Sequence, residues 1–259
     1  MIKKISVIGT GKVAYHFAKE IFNNTHLKLI QIVGRSKNLN PPFNKFKNLY
    51  SNDFSLIQKS DFCIVAVSDD SIKEVSKNIK NFNGIILHTS GSIDLSVLNN
   101  HLNSGVIYPF QTFSFNRNIN LKKVPLLVEG SSKRNLKEII LLSKIFSENV
   151  IGMKSDKRLV CHLSGIFANN FINHLISNSE GILKKFNISS KILNPLIQET
   201  FSKLKSISST DAQTGPATRN DLKTIKKHLR FLKDNNLNNN ADIYRALSDS
   251  IIKTKLDKK

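Results

Sequence analysis

Glycines near the N-terminus are the first residues whose type and spacing have a chemical meaning. Residues 9–14 read Gly-Thr-Gly-Lys-Val-Ala and directly follow the apolar segment 5–8. In this pattern Gly9 allows a tight turn, Gly11 lets the backbone approach a pyrophosphate, and Ala14 lets the next helix pack closely on the strand. The free amides at the start of that helix bind phosphate oxygens. We therefore predict a dinucleotide site, with a ligand-free turn as the alternative, and the predicted contacts are Gly9, Thr10, Gly11, Lys12, Val13 and Ala14.

The end of the second predicted strand, residues 29–33, indicates which nucleotide binds. An NAD site usually has an Asp or Glu there, which accepts hydrogen bonds from the ribose hydroxyls. This chain instead has Gly34, Arg35 and Ser36, and the next carboxylate is Asp53. Because a guanidinium can bind a 2′-phosphate with two hydrogen bonds and Ser36 can donate another, the sequence favours NADP(H). The alternative is that Arg35 is one more surface cation.

Two further strand ends are candidate walls of the same crevice. Ligands in doubly wound sheets bind beyond the carboxyl ends of the strands, so the residues at the ends of segments 62–67 and 85–88 are expected to contact the cofactor. The alternative for the first of these ends is that Asp70 or Ser71 only caps the following helix. The predicted contacts are Val67, Ser68, Asp69, Thr89, Ser90 and Gly91.

A polar stripe runs along a long predicted helix in the second half of the chain, residues 155–186. At the winding of a regular helix, His162, Asn169, Asn173 and Glu180 fall within about 20° of one line, whereas apolar residues take most other directions. The stripe is either the solvated side of the helix or the side that faces a substrate. In the second case His162 is a candidate proton donor, because an imidazole can titrate near neutrality.

Arg219 is a second candidate, within the segment 213–221. Thr218 and Asp221 have the spacing of a capping box, which predicts a helix that starts at about residue 219. A cation in the first turn of a helix opposes the helix dipole, so Arg219 is expected to pair with an anion. That anion is either Asp221 or a bound ligand.

The order of the elements predicts an α/β fold, with a doubly wound, Rossmann-type, mostly parallel sheet followed by an all-helical C-terminal domain. Short apolar runs alternate with amphipathic segments in the first half, which is typical of a parallel sheet covered on both faces. Long helical segments replace this alternation later, so we predict a cofactor domain at 1–153 and a helical domain at 154–259. The predicted strands are 5–8, 29–33, 62–67, 85–88, 105–108, 124–128 and 149–153; the predicted helices are 13–22, 71–79, 136–146, 155–186, 189–206, 219–233 and 241–255, with a loop at 235–240.

Composition excludes several classes of protein. With 259 residues, of which 40% are hydrophobic, the chain is long enough to bury a core. It has no apolar run of transmembrane length and no pattern of a signal peptide, so we expect a soluble, cytoplasmic protein without a membrane partner. Cys63 and Cys161 stand alone in apolar surroundings, which predicts buried, reduced thiols and no metal site.

The formal net charge of +20 raises the question of nucleic-acid binding. Arg accounts for only seven of the 39 basic residues, and the lysines are spread along the chain instead of clustering with aromatic residues. This pattern favours a solvated basic surface. We therefore expect no specific nucleic-acid partner, with binding through the basic surface as the alternative.

Several of these segments together resemble a family of NADP oxidoreductases that have a Rossmann domain followed by a helical domain of unknown function. The resemblance covers nearly the whole chain and is more specific than the glycine pattern alone. More distantly, the layout is similar to pyrroline-5-carboxylate reductase, deazaflavin-dependent NADP oxidoreductase and the 3-hydroxyacid dehydrogenases. The segments that carry it are 7–14, 65–72, 87–92, 108–113, 162–174 and 213–221.

The resemblance implies NADP(H) contacts at Gly9, Gly11, Arg35 and Ser36 and a homodimer that pairs the helical domains. It favours Asn170 over Asn169 as a site residue, although Asn170 lies about 80° away from His162 on a regular helix. The hydroxyacid dehydrogenases use a helix lysine as proton donor where this chain has His162. The site between domains that the resemblance implies lies near Tyr108, Gln111, His162, Asn170, Thr214 and Arg219.

Taken together, these residues predict an NADPH-dependent reductase that acts on a small substrate with a C=O or C=N bond. His162 is then the candidate acid, and Asn170 or Arg219 orients the substrate. Tyr108, Gln111 and Thr214 are the predicted substrate contacts. The alternative is an NADP(H)-binding sensor or scaffold without turnover.

Overall fold

A computed structural model gives the architecture of the chain and describes residues 2–37, 39, 41–54 and 57–256. Its described strands form one eight-stranded sheet with the order β3-β2-β1-β4-β5-β6-β7-β8. The strands β1 to β6 are parallel, β7 is antiparallel to β6, and β8 is parallel to β7. The strands are β1 (Lys3–Ile8), β2 (Leu27–Val33), β3 (Tyr50–Ser51), β4 (Phe62–Val65), β5 (Ile85–His88), β6 (Ser104–Pro109), β7 (Leu126–Gly130) and β8 (Val150–Gly152).

Helices cover the sheet in the first part of the chain and replace it in the second. A π-helical turn, Ile166–Phe171, joins α4 directly to α5. Several short 3₁₀ turns connect the remaining elements. The α-helices are α1 (Lys12–Asn23), α2 (Asp69–Asn78), α3 (Lys133–Phe146), α4 (Ser155–Gly165), α5 (Ile172–Lys185), α6 (Asn194–Lys203), α7 (Leu222–Asp234) and α8 (Asn238–Leu256).

The central strands are buried on both faces, as a doubly wound sheet requires. Ile64 belongs to one apolar cluster, whereas its neighbours Cys63 and Val65 belong to a second cluster on the other face. Successive strand side chains point to opposite faces, so this alternation shows that each face has its own core. The predicted α/β fold, with a Rossmann-like sheet and a helical C-terminal region, is therefore confirmed.

Two compact units divide the chain, residues 1–169 and 170–259. The sheet itself ends at Gly152, close to the boundary expected after residue 153. The compact first unit extends further because α4 is tied to the sheet through Arg158, as described below. Among the described residues, no helix combines the length and the apolar character needed to cross a membrane.

Some expectations about elements and burial were wrong. The segment 235–240 is not wholly a loop, because α8 already starts at Asn238 and the Ala241 amide donates to the Leu237 carbonyl. Cys63 is buried, and burial raises its pKa to about 12, but Cys161 is only half-buried, with its sulfur 3.6 Å from that of Met153. The apolar residues near Cys161 in the sequence therefore did not predict its burial correctly.

Candidate functional site

One cavity of about 860 Å³ lies at the carboxyl ends of the parallel strands, within the first unit. This volume is in the range of pockets that bind cofactors and other small ligands. Its position is the one where doubly wound sheets bind nucleotides. The lining residues are Gly9, Thr10, Gly11, Lys12, Val13, Gly34, Arg35, Ser36, Phe54, Ala66, Val67, Ser68, Asp69, Ser71, Glu74, Val75, Asn78, Thr89, Ser90, Gly91, Tyr108 and His162.

The turn between β1 and α1 has the shape of a phosphate cradle. Gly9 has φ +119°, a conformation that L side chains rarely adopt, and a Cβ there would clash with the Ala66 carbonyl. Gly11 differs, because a Cβ at this residue would meet no atom within 4 Å and would project into open space. Gly11 is also the N-cap of α1 and has no side chain to occupy the first amides of the helix. The turn therefore leaves both room and hydrogen-bond donors for an anion.

The end of β2 forms the second part of the cavity. Arg35 and Ser36 are exposed and line it, and the sequence has no Asp or Glu between the end of the strand and Asp53. The Tyr50 hydroxyl donates to the Ser36 carbonyl at 2.5 Å, which ties this loop to β3. A Cβ at Gly34 would stand 2.8 Å from that hydroxyl, so the loop packs closely here. The arrangement presents a cation and a hydroxyl at the place where a ribose is expected.

The opposite end of the cavity contains a tyrosine–histidine pair. The hydroxyl of Tyr108, on β6, lies 3.0 Å from Nδ1 of His162, on α4, and the two rings meet edge to face. A Cβ at Gly91 would stand 2.7 Å from both His162 Nδ1 and Tyr108 Cζ, so the pair packs directly on the backbone of Gly91. Burial raises the pKa of Tyr108 to about 12, with the charges of Cys161 and Asp69 adding to the effect and Arg158 opposing it. This end of the cavity therefore holds an imidazole and a phenol that keeps its proton.

Arg158 fixes the helix that carries His162. Its side chain is fully buried and forms an ion pair with Glu129 of β7, while its other terminal nitrogen donates to the Ile93 carbonyl at 2.6 Å and to Ser155 Oγ at 3.0 Å. Arg158 and His162 are four residues apart, so they lie on the same face of α4. The buried ion pair thus places His162 beside Tyr108 and Gly91.

Most of the predicted cofactor contacts line this cavity. Ala14 is the exception: it is completely buried in the core, where it lets α1 approach the sheet. Gln111 is exposed, accepts a hydrogen bond from the Thr112 amide and does not line the cavity. Asn170, Thr214 and Arg219 belong to the second unit, and their roles stay predictions.

The helix that carries the predicted polar stripe is not regular. Residues 166–171 form a π-helix, which winds less per residue than an α-helix. The angles calculated for His162, Asn169, Asn173 and Glu180 assumed one uniform helix and are therefore wrong beyond residue 165. For the same reason the 80° separation between His162 and Asn170 no longer argues against Asn170. Such π turns occur frequently at functional sites.

The expectation for the turn before α7 was also wrong. The helix begins at Leu222, its N-cap is Asp221, and the Asp221 side chain accepts from the Thr224 amide. No capping box joins Thr218 to Asp221; the Thr218 hydroxyl instead donates to the Thr214 carbonyl. Arg219 precedes the helix instead of lying in its first turn. Hydrogen bonds from Thr224 lower the pKa of Asp221 and the positive charge of Arg219 adds to the effect, so Asp221 is an anion near Arg219. At the earlier strand end, Ser68 is the N-cap of α2, and neither Asp70 nor Ser71 occupies that position.

Several lining residues were missed from the sequence. Ser71, Glu74, Val75 and Asn78 form one face of α2, at the i, i+3, i+4 and i+7 spacing that a helix face requires. That spacing, in a helix that directly follows a strand end, could have identified these residues from the sequence. Phe54 also lines the cavity but follows no pattern that marks it. The sequence did not indicate the structural role of Arg158, because its partner Glu129 is distant along the chain.

Comparisons with known proteins agree with this architecture. Residues 124–251 match the model of a family described as a domain of unknown function, DUF2520. A Bacteroides fragilis protein classed as an NADP oxidoreductase is 30% identical, with a TM-score of 0.89, and the match covers 97% of this chain and 98% of that chain. No curated protein matches the sequence.

More distant solved structures share the fold. Pyrroline carboxylate reductase from Plasmodium falciparum, solved with NADP bound, is 14% identical with a TM-score of 0.59, covering 96% of this chain and 98% of that chain. A reductive aminase from Aspergillus terreus, solved with NADPH and ethyl-5-oxohexanoate, is 11% identical with a TM-score of 0.68, covering 100% of this chain and 99% of that chain. At such low identity these two matches support the fold alone.

Proposed function

This chain belongs to the family of the Bacteroides fragilis NADP oxidoreductase, and we propose that it is an NADPH-dependent reductase of a small substrate with a C=O or C=N bond. The observation that carries the proposal is the composition of one cavity. It has a phosphate cradle at the start of α1, a cation at the end of β2 and the Tyr108–His162 pair at its other end. The names of related proteins support the same class of reaction.

The residues of the cavity fit the parts of NADPH. The turn at Gly9 and Gly11 receives the pyrophosphate, because the space beside Gly11 is open and the helix amides point to it. Arg35 and Ser36 bind the 2′-phosphate, which NADH lacks. The strand-end residues Val67, Ser68, Asp69, Thr89, Ser90 and Gly91 line the part of the cavity between the phosphates and the pair. The bound cofactor supplies a hydride.

His162 is the proposed acid. It lines the cavity, and its imidazole packs against the backbone of Gly91, which lines the cavity as well. A positioned imidazole that donates a proton to the oxygen or nitrogen of the substrate accelerates such reactions by roughly 10²- to 10⁴-fold. Asn170 and Arg219 are proposed to orient the substrate, and Tyr108, Gln111 and Thr214 to contact it.

The first experiment measures cofactor affinity. Purified protein is titrated with NADPH and with NADH while nicotinamide fluorescence is followed at fixed salt. A charged hydrogen bond to the 2′-phosphate contributes about 1.5–3 kcal/mol, so we expect roughly 10- to 150-fold tighter binding of NADPH. Arg35→Asp should remove this preference.

A matched control separates the site from the general basic charge. Arg117 is exposed and lies outside the cavity lining, so Arg117→Asp makes the same charge change elsewhere. It should leave both affinities unchanged. Equal weakening of NADPH by both variants would show that Arg35 acts only as a surface cation. Tight binding without oxidation of NADPH across a screen of ketones and imines would favour the sensor alternative.

The chain is also proposed to form a homodimer through its helical region. None of the described residues of α5 and α6 is buried in the single chain, although both helices carry many apolar side chains. Leu196 is 64% exposed and Ile192, just before α6, is 60% exposed. Exposed apolar groups of this density are typical of a protein–protein interface. Because the expected partner is an identical chain, the same face would meet on both copies.

Light scattering coupled to size-exclusion chromatography tests the dimer. Wild-type protein should elute with twice the mass of one 29.2-kDa chain. A double variant, Ile192→Lys and Leu196→Lys, should shift it to the single-chain mass, because two buried ammonium groups would oppose association. Leu102→Lys is the control, since Leu102 is 92% exposed but belongs to the first unit. A monomeric wild-type protein would contradict the proposal.

A further inference from the structure

The hydroxyl of Tyr108 is directed at a nitrogen of the proposed acid and not only at the cavity. It lies 3.0 Å from Nδ1 of His162, and the two ring centroids are 5.8 Å apart at an interplanar angle of 73°. Both residues belong to the first unit, on elements that the sheet and the Arg158 ion pair hold in place. This contact gives Tyr108 a role that acts through His162.

The Nδ1 edge of the imidazole is enclosed. A Cβ at Gly91 would stand 2.7 Å from Nδ1 and 2.8 Å from Cγ of His162, so the backbone of Gly91 lies against this edge of the ring. The Tyr108 hydroxyl contacts the same nitrogen. Since His162 also lines the cavity, Nε2 is the nitrogen left to meet a ligand.

A protonated phenol can act as the donor in this hydrogen bond. Burial raises the pKa of Tyr108 to about 12, so the phenol keeps its proton throughout the neutral range. A neutral imidazole has one nitrogen that accepts a hydrogen bond and one that donates. When the phenol donates to Nδ1, the imidazole proton must be on Nε2.

We propose that Tyr108 is a positioning residue that donates to Nδ1 of His162 and holds the imidazole in the Nε2–H tautomer, with Nε2–H aimed into the cavity. The proposed tautomer rests on contacts within the first unit and not on a ligand. The consequence for a carbonyl or imine substrate rests on the proposed reductase function.

In the proposed reduction, every proton that moves comes from a named group. As the substrate carbon is reduced, its oxygen or nitrogen becomes strongly basic and takes the Nε2 proton, so an O–H or N–H bond forms and the Nε2–H bond breaks. The Tyr108 O–H bond breaks and an Nδ1–H bond forms, which keeps the imidazole neutral. An alkoxide is a stronger base than a tyrosinate, so the transfer is downhill. After the product leaves, a solvent proton binds Nε2 and the Nδ1 proton returns to the tyrosinate, which restores both the phenol and the Nε2–H tautomer.

Nitrogen-15 NMR of the histidine side chains tests the tautomer without a substrate. Protein labelled at histidine is measured at a pH where the imidazole is neutral, and the His162 signals are identified by their loss in His162→Asn. Wild-type protein should show a protonated Nε2 and an unprotonated Nδ1. A protonated Nδ1 in the wild type would overturn the proposal.

Tyr108→Phe removes only the hydroxyl and should shift Nδ1 and average the two nitrogen signals as the second tautomer becomes populated. The chain offers a matched control, because the hydroxyl of Tyr244 lies 2.8 Å from Nδ1 of His228 in the second unit. Tyr244→Phe should therefore change the His228 signals and leave those of His162 alone. Unchanged His162 signals in Tyr108→Phe would refute the role of Tyr108. If that variant does not fold, the wild-type tautomer decides alone.

A kinetic measurement follows once a substrate turns over. Tyr108→Phe should lower kcat roughly tenfold or more and leave the Kd for NADPH unchanged. An unaltered kcat would contradict the positioning role. Failure of NADPH to bind the wild-type protein would instead refute the proposed function and leave the tautomer result intact.

Discussion

Replacing His88 should remove a large part of the acid sensitivity of this fold. His88 ends β5 and is fully buried, and its Nδ1 accepts a hydrogen bond from the Ser90 amide at 3.2 Å. Its pKa is lowered from 6.5 to about 3, mainly by burial and in addition by the nearby charge of Arg158, while Asp69 and Asp94 oppose the shift. The folded protein therefore keeps this imidazole neutral under conditions where the unfolded chain protonates it.

The size of the effect follows from the two pKa values. Between about pH 6.5 and pH 3 the unfolded state binds one more proton at this residue, so the free energy of unfolding falls as the pH falls. The limiting slope is about 1.4 kcal/mol per pH unit. From pH 7 to pH 4.5 the loss amounts to about 2.5 kcal/mol, and it changes little if the folded pKa lies one unit higher.

Urea unfolding at pH 7, 5.5 and 4.5 measures this loss. His88→Asn keeps an acceptor near the position of Nδ1 but does not titrate, so its stability should fall about 2.5 kcal/mol less than that of the wild type over this range. His101, whose pKa burial also lowers, is only half-buried, and His101→Asn should remove a smaller share. Parallel pH profiles for the wild type and His88→Asn would refute the reasoning.

Two further predictions separate architecture from binding. Glu129→Gln should lower the free energy of unfolding by about 3–5 kcal/mol, because it leaves the Arg158 charge buried without a partner. Glu138→Gln breaks an exposed ion pair and should cost less than about 1 kcal/mol in the same urea titration. Similar losses in the two variants would contradict the role of Arg158. Gly9→Ala should destabilise the fold by about 1–3 kcal/mol. Gly11→Ala should cost less than about 1 kcal/mol of stability but weaken NADPH binding in a fluorescence titration. Full affinity for NADPH in Gly11→Ala would contradict the proposed phosphate site at this turn.

The sequence predicted those parts of the site that depend on local backbone geometry. The turn at Gly9 and Gly11 follows from a conformation that only glycine adopts easily and from an open space that a side chain would fill. Strands and helices of the first half were predicted from the apolar alternation, which reports burial directly. The two-residue strand β3 is too short to produce such a pattern.

Features that depend on distant pairing or irregular winding could not be predicted in this way. The ion pair of Arg158 with Glu129 joins two elements, and neither residue differs in the sequence from any other charged residue. The π turn after α4 violates the constant winding on which the polar stripe was calculated. Before α7, Thr218 and Asp221 compete as caps, and the side chain of Asp221 forms the bond that decides the helix start.

A crystal structure of the protein grown with NADPH tests the central claim most directly. The account predicts the pyrophosphate at the first amides of α1 beside Gly11, the 2′-phosphate in contact with Arg35, and the nicotinamide at the end of the cavity that holds Tyr108 and His162. Cofactor bound at any other place, or a 2′-phosphate without contact to Arg35, would contradict it.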